Sequence, residues 1–211
     1  MNSVIFCGGD IEDYESIKKY VQDAQLTFCV DSGARHCRKL QIIPDYLIGD
    51  FDSINEEDFT SLVEAGASVM RFSSEKDMTD SELAIEIAYE KGCRRIILLG
   101  AIGSRIDHML SNVFLLKKLA DLNVEGIIIN ENNEIRLIND YIELKSEKDN
   151  FLSLLPVGGN AVGVTTRGLY YPLTDATLEV GSSWGVSNRF TADSASVSVK
   201  KGYLLVIKSR D

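Results

Sequence analysis

The chain lacks what a phosphate backbone or a bilayer asks of a protein. Its 22 Lys and Arg are outnumbered by 32 Asp and Glu, for a formal net charge of −10, whereas nucleic-acid binding recruits a basic face. The longest apolar runs, such as IILLG and GIII, are far too short to span a membrane. No basic amphipathic stretch suits adsorption to a lipid surface. The start, MNSVIFCGGDIED, has no basic segment leading into an extended apolar one. No signal peptide is therefore expected, and cytoplasmic residence is the default. Cys7, Cys29, Cys37 and Cys93 form no C-x-x-C pair, and three lie in or beside apolar segments. That spacing argues against a disulfide framework or a zinc site, and for small buried hydrophobes. Two histidines, His36 and His108, are too few for a histidine-rich transition-metal centre. An acidic chain can still hold a nucleotide when a divalent metal mediates.

What is present is an ordinary soluble composition and a change of rhythm. Through residue 130, short apolar strand candidates (SVIFCG, LTFCVD, YLIGDF, SVMRF, RRIILLG, EGIIIN) alternate with helical patterns (YESIKKYVQ, ARHCRKL, EEDFTSLVEAG, TDSELAIEIAYEKG, RIDHMLSNVFLLKKLADL). In the fourth helix Thr79 and Glu82 read as a capping box and Gly92 as the stop. In the fifth, Ile106, Met109, Leu110, Val113 and Phe114 share one broad face. Such apolar strands, alternating with helices, predict a doubly wound, mostly parallel α/β sheet covered on both sides. After residue 130 no helical period persists. NEIRLIND, YIELKS, FLSLLPV, AVGVTT, LYYPL, ATLEV, SASVSVKKG and YLLVIKS are short and strand-like, predicting a C-terminal antiparallel β-sandwich or barrel. The boundary falls near Asn123 to Asn132, dividing the chain into residues 1–125 and 126–211.

In parallel sheets ligands sit outside the carboxyl ends of the strands, and there the polar residues collect. The ends read CGGD, VDSGAR, GDFDS, SSEKDMTDSE and LGAIGSRIDH. Asp50 and Asp52 are the sharpest pair. At a separation of about 6 Å and an effective dielectric near 20 they repel by roughly 2–3 kcal/mol, a cost that a cleft offsets with a cation. Hard oxygen ligands suit Mg²⁺, with phosphates completing its shell. Each element has a plainer reading. Gly33 and Gly103 permit tight turns. Asp80 and Asp107, in the first turns of helices, serve the dipole. Lys76 and Arg105 are solvated charges, and His108 is a hydrogen-bonded core residue beside Met109. Five consecutive strand ends pointing the same way favour a cleft.

A D-S-G turn, a G-D-x-D-S turn, an E-K-D-x-T-D loop and a G-S-R-x-D-H loop occur in this order with one strand between each. In this the sequence closely resembles the bacterial thiamine pyrophosphokinase family, and GLYYPL and GSSWGVSN resemble that family's thiamine-domain motifs. The match spans Asp31 to Asn188. The family commonly has G-G-R-x-D-H where this chain has Ser104, and S-N-E where it has Arg189, so no acidic role transfers to that position. The resemblance implies transfer of a pyrophosphoryl group from ATP to the hydroxyethyl group of thiamine, with release of AMP. It also implies an α/β catalytic domain joined to a thiamine-binding β-sandwich, and a homodimer with sites between subunits.

Under that resemblance Asp50, Asp52 and Asp80 hold Mg²⁺, and Asp77 either completes the metal shell or positions Lys76. Lys76 and Arg105 neutralise the transferring group, while Asp31 with the Gly33 turn, and Asp107, contact the nucleotide. One of these aspartates is the general base, the choice staying open. Trp184 stacks on thiamine while Ser187 and Asn188 bond its pyrimidine, unless Trp184 packs a sandwich end or a dimer interface instead. Two other functions compete. A metal-dependent nucleotide-sugar transferase explains GDFDS but not the EKDMTD and GSRIDH loops. A non-catalytic nucleotide-sensing regulator predicts ATP binding without turnover.

Overall fold

The computed structural model describes residues 1–147 and 149–211. Two compact units divide the chain, Met1–Glu131 and Asn132–Asp211. The expected division at residue 125/126 falls instead at the start of a strand that pairs within the first unit.

The first unit alternates β1 (Asn2–Phe6), α1 (Tyr14–Gln22), β2 (Leu26–Val30), α2 (Ala34–Leu40), β3 (Tyr46–Gly49), α3 (Glu56–Glu64), β4 (Ser68–Arg71), α4 (Asp80–Glu90), β5 (Arg95–Leu99), α5 (Ile106–Asp121) and β6 (Glu125–Ile129). Its strands lie in the order β4-β3-β2-β1-β5-β6. Every pairing is parallel. Successive side chains of a strand point to opposite faces. Val4 and Phe6 of β1, with Cys29, Leu47, Leu99 and Ile127, therefore pack against Ile17 of α1, Cys37 of α2 and Leu62 of α3. Helix α4 lies against β1, β2 and β3, and α5 against β6. Burying each large apolar side chain of this sheet contributes roughly 1.5–3 kcal/mol. From β1 the order runs outward to β4 and then restarts at β5 on the other side of β1. The loops leaving β1 and β5 consequently part, which opens a crevice at the carboxyl ends of the strands.

Local chemistry sets the helix starts. The carboxylate of Asp13 accepts from Glu15 N and Ser16 N, Asn55 accepts from Glu57 N, and Thr79 accepts from Glu82 N. Only half of the capping box at Thr79 forms, because the Glu82 carboxylate turns to Lys118 Nζ at 2.8 Å. Helix α4 stops at Gly92, whose φ of +89° suits glycine. Helix α5 corrects the apolar face read from its sequence. Its buried side chains are Asn112, Leu115, Leu116 and Leu119, while Ile106, Leu110 and Phe114 are exposed. The helix carries two apolar stripes, and packing on the sheet selects the other one.

The second unit contains β7 (Asn133–Ile138), β8 (Tyr141–Lys145), β9 (Phe151–Arg167), β10 (Ala176–Leu178), β11 (Asn188–Arg189), β12 (Ser194–Ser198) and β13 (Lys201–Ser209). The strands run β7-β13-β9-β12-β8, with β10 and β11 also on β9, and all pairings are antiparallel. Leu152, Leu154, Val164, Leu178, Val197, Leu204 and Val206 form its core.

Two expectations are corrected here. FLSLLPV and AVGVTT are one strand, not two. Between them Gly158 and Gly159 adopt φ of +72° and +146°, and the register with β13 slips from Tyr203↔Val157 to Lys201↔Val162. The glycines thus make a bulge that redirects β9 without ending it. LYYPL is a turn, not a strand: its one ladder contact is the bridge between Leu169 and Phe190, and Pro172 has no N–H to donate to a ladder.

Candidate active site

At the carboxyl ends of β1, β2, β3 and β5, a cleft of about 300 Å³ opens. It is lined by Cys7, Gly8 and Gly9 from the first loop, by Ser32, Ser53 and Ser81, and by Gly100, Gly103, Ser104, Arg105 and His108 around the start of α5. Loops this close tolerate little side chain: a Cβ on Gly33 would stand 2.4 Å from the Phe6 carbonyl oxygen. Gly33 has φ of −59°, so this close approach, not an unusual backbone angle, requires glycine. Arg35 holds the Gly8–Gly9 loop, donating from Nη2 to Gly8 O at 2.9 Å, Gly9 O at 3.0 Å and Asp10 Oδ1 at 2.9 Å. Asn112 Nδ2 donates to Ala101 O at 2.9 Å and ties the β5 loop to α5. Helix α5 begins at Arg105 with no side chain capping its first N–H groups, an arrangement open to an anion.

Of the four serines of the cleft, three each follow an aspartate: Asp31-Ser32, Asp52-Ser53 and Asp80-Ser81. Those aspartates, with Asp50, form one electrostatic cluster. Burial and then the charge of Asp80 push the Asp31 carboxyl up to about 7, with Asp50 adding to the effect and the Phe51 N–H opposing it. Asp31 fits against Gly49, where a Cβ would meet its Oδ1 at 1.7 Å and where φ is +152°. Asp50 and Asp52 are shifted in opposite directions. Hydrogen bonding from the Asp52 backbone draws Asp50 down, while hydrogen bonding with Asp50 and its charge raise Asp52, and Asp80 raises it further. Lys76 Nζ stands 3.0 Å from Asp80 Oδ1 and donates to Ser73 O at 2.9 Å. That Asp80 oxygen is buried and receives no hydrogen bond.

Thus Asp31, Asp50, Asp52, Asp80 and Lys76 are brought together from separate strand ends, while Asp77 is exposed on its loop. Among the described residues no three acidic, histidine or cysteine side chains stand as a ready-made metal cage. The donor chemistry nonetheless fits Mg²⁺. All the oxygens are hard, the buried Asp80 Oδ1 has no hydrogen bond beyond its ion pair with Lys76, and the mutual repulsion of the carboxylates favours a cation.

The last loop departs from expectation. Arg105 Nη2 and Asp107 Oδ2 pair at 2.6 Å. The guanidinium holds the Asp107 carboxyl down to about 2, which makes it a poor proton acceptor near neutrality. Arg105 lines the cleft, whereas Asp107 borders a separate groove beside Leu110 and Phe114. His108 is exposed and lines the cleft, not buried in the core. The buried histidine is His36, 1% exposed, bonded through Nε2 to Gly9 O at 2.8 Å and through Nδ1 to the Tyr14 hydroxyl at 2.6 Å. Burial pushes it down to about 4. With the Gly9 carbonyl as acceptor, Nε2 carries the proton and Nδ1 accepts from Tyr14. Cys7 is likewise inert, since burial raises its thiol to about 11.

Sequence reasoning places Ser32 and Ser53 at strand ends without giving them a role, and passes over Ser81. The thrice-repeated Asp-Ser at successive strand ends was the available signal.

In the second unit Trp184 is 62% exposed, with Tyr170, Tyr171, Val180 and Val186 also exposed. Water would ordinarily expel so many large apolar groups, and loop aromatics left outside a core mark a binding surface. Ser187 is exposed, with φ of +59° and its N–H donated to Ser153 Oγ at 3.0 Å. Asn188 is different. It is buried, donates from Nδ2 to Tyr171 O at 2.7 Å, and accepts through Oδ1 from Tyr171 N at 3.0 Å and Arg189 N at 2.9 Å. Its amide clamps the Tyr170–Tyr171 turn, leaving one amide hydrogen beyond the clamp.

Comparison with known proteins agrees with both units. Residues 17–128 match the family model for the thiamin pyrophosphokinase catalytic domain, and residues 140–204 match that for the thiamin pyrophosphokinase vitamin B1 binding domain. Thiamine pyrophosphokinase of Bacillus subtilis (strain 168) is 31% identical over 209 residues, covering 98% of each chain. The crystal structure of the Bacillus subtilis enzyme superposes with a TM-score of 0.91 at 29% identity over the whole of both chains. That of thiamin pyrophosphokinase from Geobacillus thermodenitrificans gives 0.86 at 30% identity, covering 100% of this chain and 98% of the other. The chain belongs to the thiamine pyrophosphokinase family.

Proposed function

We propose that the protein transfers the pyrophosphoryl group of ATP to the hydroxyethyl oxygen of thiamine, giving thiamine diphosphate and AMP. The observation that carries this reading is the meeting of Asp31, Asp50, Asp52 and Asp80 beside a glycine- and serine-lined cleft, in a chain of this family. Phosphoryl chemistry asks a protein for positioning and charge neutralisation rather than covalent help.

In this reading Asp50, Asp52 and Asp80 hold Mg²⁺, with Asp31 behind them. Bound there, Mg²⁺ supplies the positive charge that lets an acidic cleft accept a polyanion and stabilises charge developing in transfer. The narrow loops at Gly8, Gly9, Gly100 and Gly103 admit the phosphates close to backbone N–H groups. Lys76 leaves Asp80 to face a phosphate oxygen, and Arg105 exchanges Asp107 for the triphosphate. Asp77 positions Lys76 from the neighbouring place on its loop. Exposed Trp184 offers a ring face to the thiamine cation, with Ser187 and the remaining Asn188 hydrogen on its pyrimidine. A doubly wound catalytic domain, a thiamine-binding β-sandwich, a cytoplasmic homodimer with sites between subunits, and independence from nucleic acid and membrane complete the proposal.

The test is incubation with ATP, Mg²⁺ and thiamine, following AMP against ADP. AMP with thiamine diphosphate is expected. ADP would mean transfer of a single phosphate, and ATP binding without turnover would mean a regulator; either result overturns the proposal.

A further inference from the structure

We infer that Arg71, the last residue of β4, is a positioning residue for the reaction: its guanidinium holds the turn that presents Asp50 and Asp52. This rests on the reading of those two carboxylates as the metal-gripping pair.

The residue between them is Phe51, with φ of +66°. A side chain crowds the backbone in this left-handed region, and a phenylalanine has no local hydrogen bond to compensate. Such a conformation persists only where its surroundings over-determine it. Here they do. The Phe51 ring lies against Phe59 of α3 at 5.0 Å between centroids. The Arg71 guanidinium covers it at 4.9 Å. Through Nη1 the same guanidinium donates to the Asp50 carbonyl at 2.9 Å.

Arg71 thus grips the Asp50 carbonyl and the Phe51 ring with one planar group. The sheet in turn grips Arg71. It is the register partner of Gly49, and the adjacent Phe72 N–H donates to Gly49 O at 3.0 Å. The arginine is thereby anchored one residue before the turn it braces.

The consequence for the carboxylates is direct. With Phe51 left-handed, Asp52 N folds back to Asp50 Oδ1 at 3.1 Å, and Phe51 N faces Asp31 Oδ1 at 3.4 Å. Were Phe51 to relax to negative φ, the chain beyond it would swing and Asp52 N would leave Asp50 Oδ1. Lysine cannot replace the arginine, because an ammonium lacks the planar fork that stacks and donates at once.

The test compares Arg71→Ala, Arg71→Lys and Asp52→Asn in the full chain by four readouts: AMP formation, Mn²⁺ affinity by EPR titration with a non-hydrolysable ATP analogue, thiamine KM, and melting temperature. Misplacement of a reacting group by an ångström can cost about a hundredfold. Arg71→Ala is expected to lower kcat about 10- to 100-fold and to weaken Mn²⁺ binding about tenfold, with thiamine KM and melting temperature nearly unchanged. Arg71→Lys, which keeps the stem and charge and serves if the alanine variant does not fold, should fail to restore either quantity. In a Phe51→Gly background, where positive φ carries no side-chain strain, the penalty of Arg71→Ala should shrink.

Unchanged Mn²⁺ affinity in Arg71→Ala, full rescue by lysine, or an undiminished penalty in the glycine background overturns the positioning role. Wild-type turnover and Mn²⁺ affinity in Asp52→Asn would instead overturn the reading of the acidic pair, whatever Arg71 does.

Discussion

The two units solve opposite problems. In the first, parallel strands collect carboxylates at one end, so that unfavourable charge accumulates beside the cleft; Asp31, raised to about 7 by burial and then by the charge of Asp80, is one sign of it. In the second, antiparallel strands satisfy one another, and the anomaly is apolar: Trp184, Tyr170 and Tyr171 stay in water. In the proposed reaction the clustered carboxylates of the first unit would serve a polyanionic donor and its metal, and the uncovered aromatic side chains of the second a flat organic cation. The contrast teaches where to look. A site for an anion shows as electrostatic strain, and a site for an aromatic cation shows as exposure.

Breaking the comparison on the charged side should have the largest effect. Asp52→Asn is expected to lower the rate of AMP formation by about two to three orders of magnitude, with the thiamine KM little changed, as steady-state assays can establish. Next comes the floor beneath that cleft. His36 is lowered from its ordinary 6.5 to about 4, so its contribution to stability is fully present above pH 6.5 and disappears as the pH falls through 4. That loss is on the order of 3 kcal/mol, and His36→Gln should flatten it. Helical circular dichroism is the probe of choice, since the only tryptophan, Trp184, lies in the other unit.

The aromatic side sharpens the contrast between a clamp and a contact. Asn188→Ala leaves the part-buried N–H and C=O of Tyr171 without their side-chain partner and should cost about 1–2 kcal/mol of stability in denaturant unfolding. Trp184→Ala should leave stability unchanged and raise the thiamine KM about 5- to 30-fold with the ATP KM constant. An unchanged thiamine KM would reject the stacking role and leave the exposed ring for a protein contact.

Much of this was legible in one sequence because the relevant physics is local. Apolar β-branched runs broken by capped helices specify a parallel α/β order, and Thr79 and Gly92 mark the ends of α4 as read. Aspartates at strand ends were legible for the same reason, since the strand direction decides where they emerge. The failures share a different cause. His36 and His108 both sit on helices, and only the docking of α2 against the Gly9 loop makes one buried and leaves the other open. Asn188 in a polar loop motif reads as a ligand to substrate; that its amide also clamps Tyr171 was not legible, because Tyr171 is 17 residues away and LYYPL did not suggest a turn. FLSLLPV and AVGVTT read as two strands because two positive-φ glycines look like a stop until β13 is present to pair across them.

What the sequence determined by itself is therefore the alternation of elements, the change at about residue 130, the chemistry that reaches the strand ends and the family. Tertiary structure alone decided which face of α5 is buried, which carboxylates perturb one another, which asparagine is spent on the backbone, and that Phe51 is held left-handed under Arg71. Element type and the succession of elements along the chain follow from short-range periodicity and capping. The rest depends on which surfaces meet, and the contacts that choose between two apolar stripes or two histidines come from residues far apart in the chain.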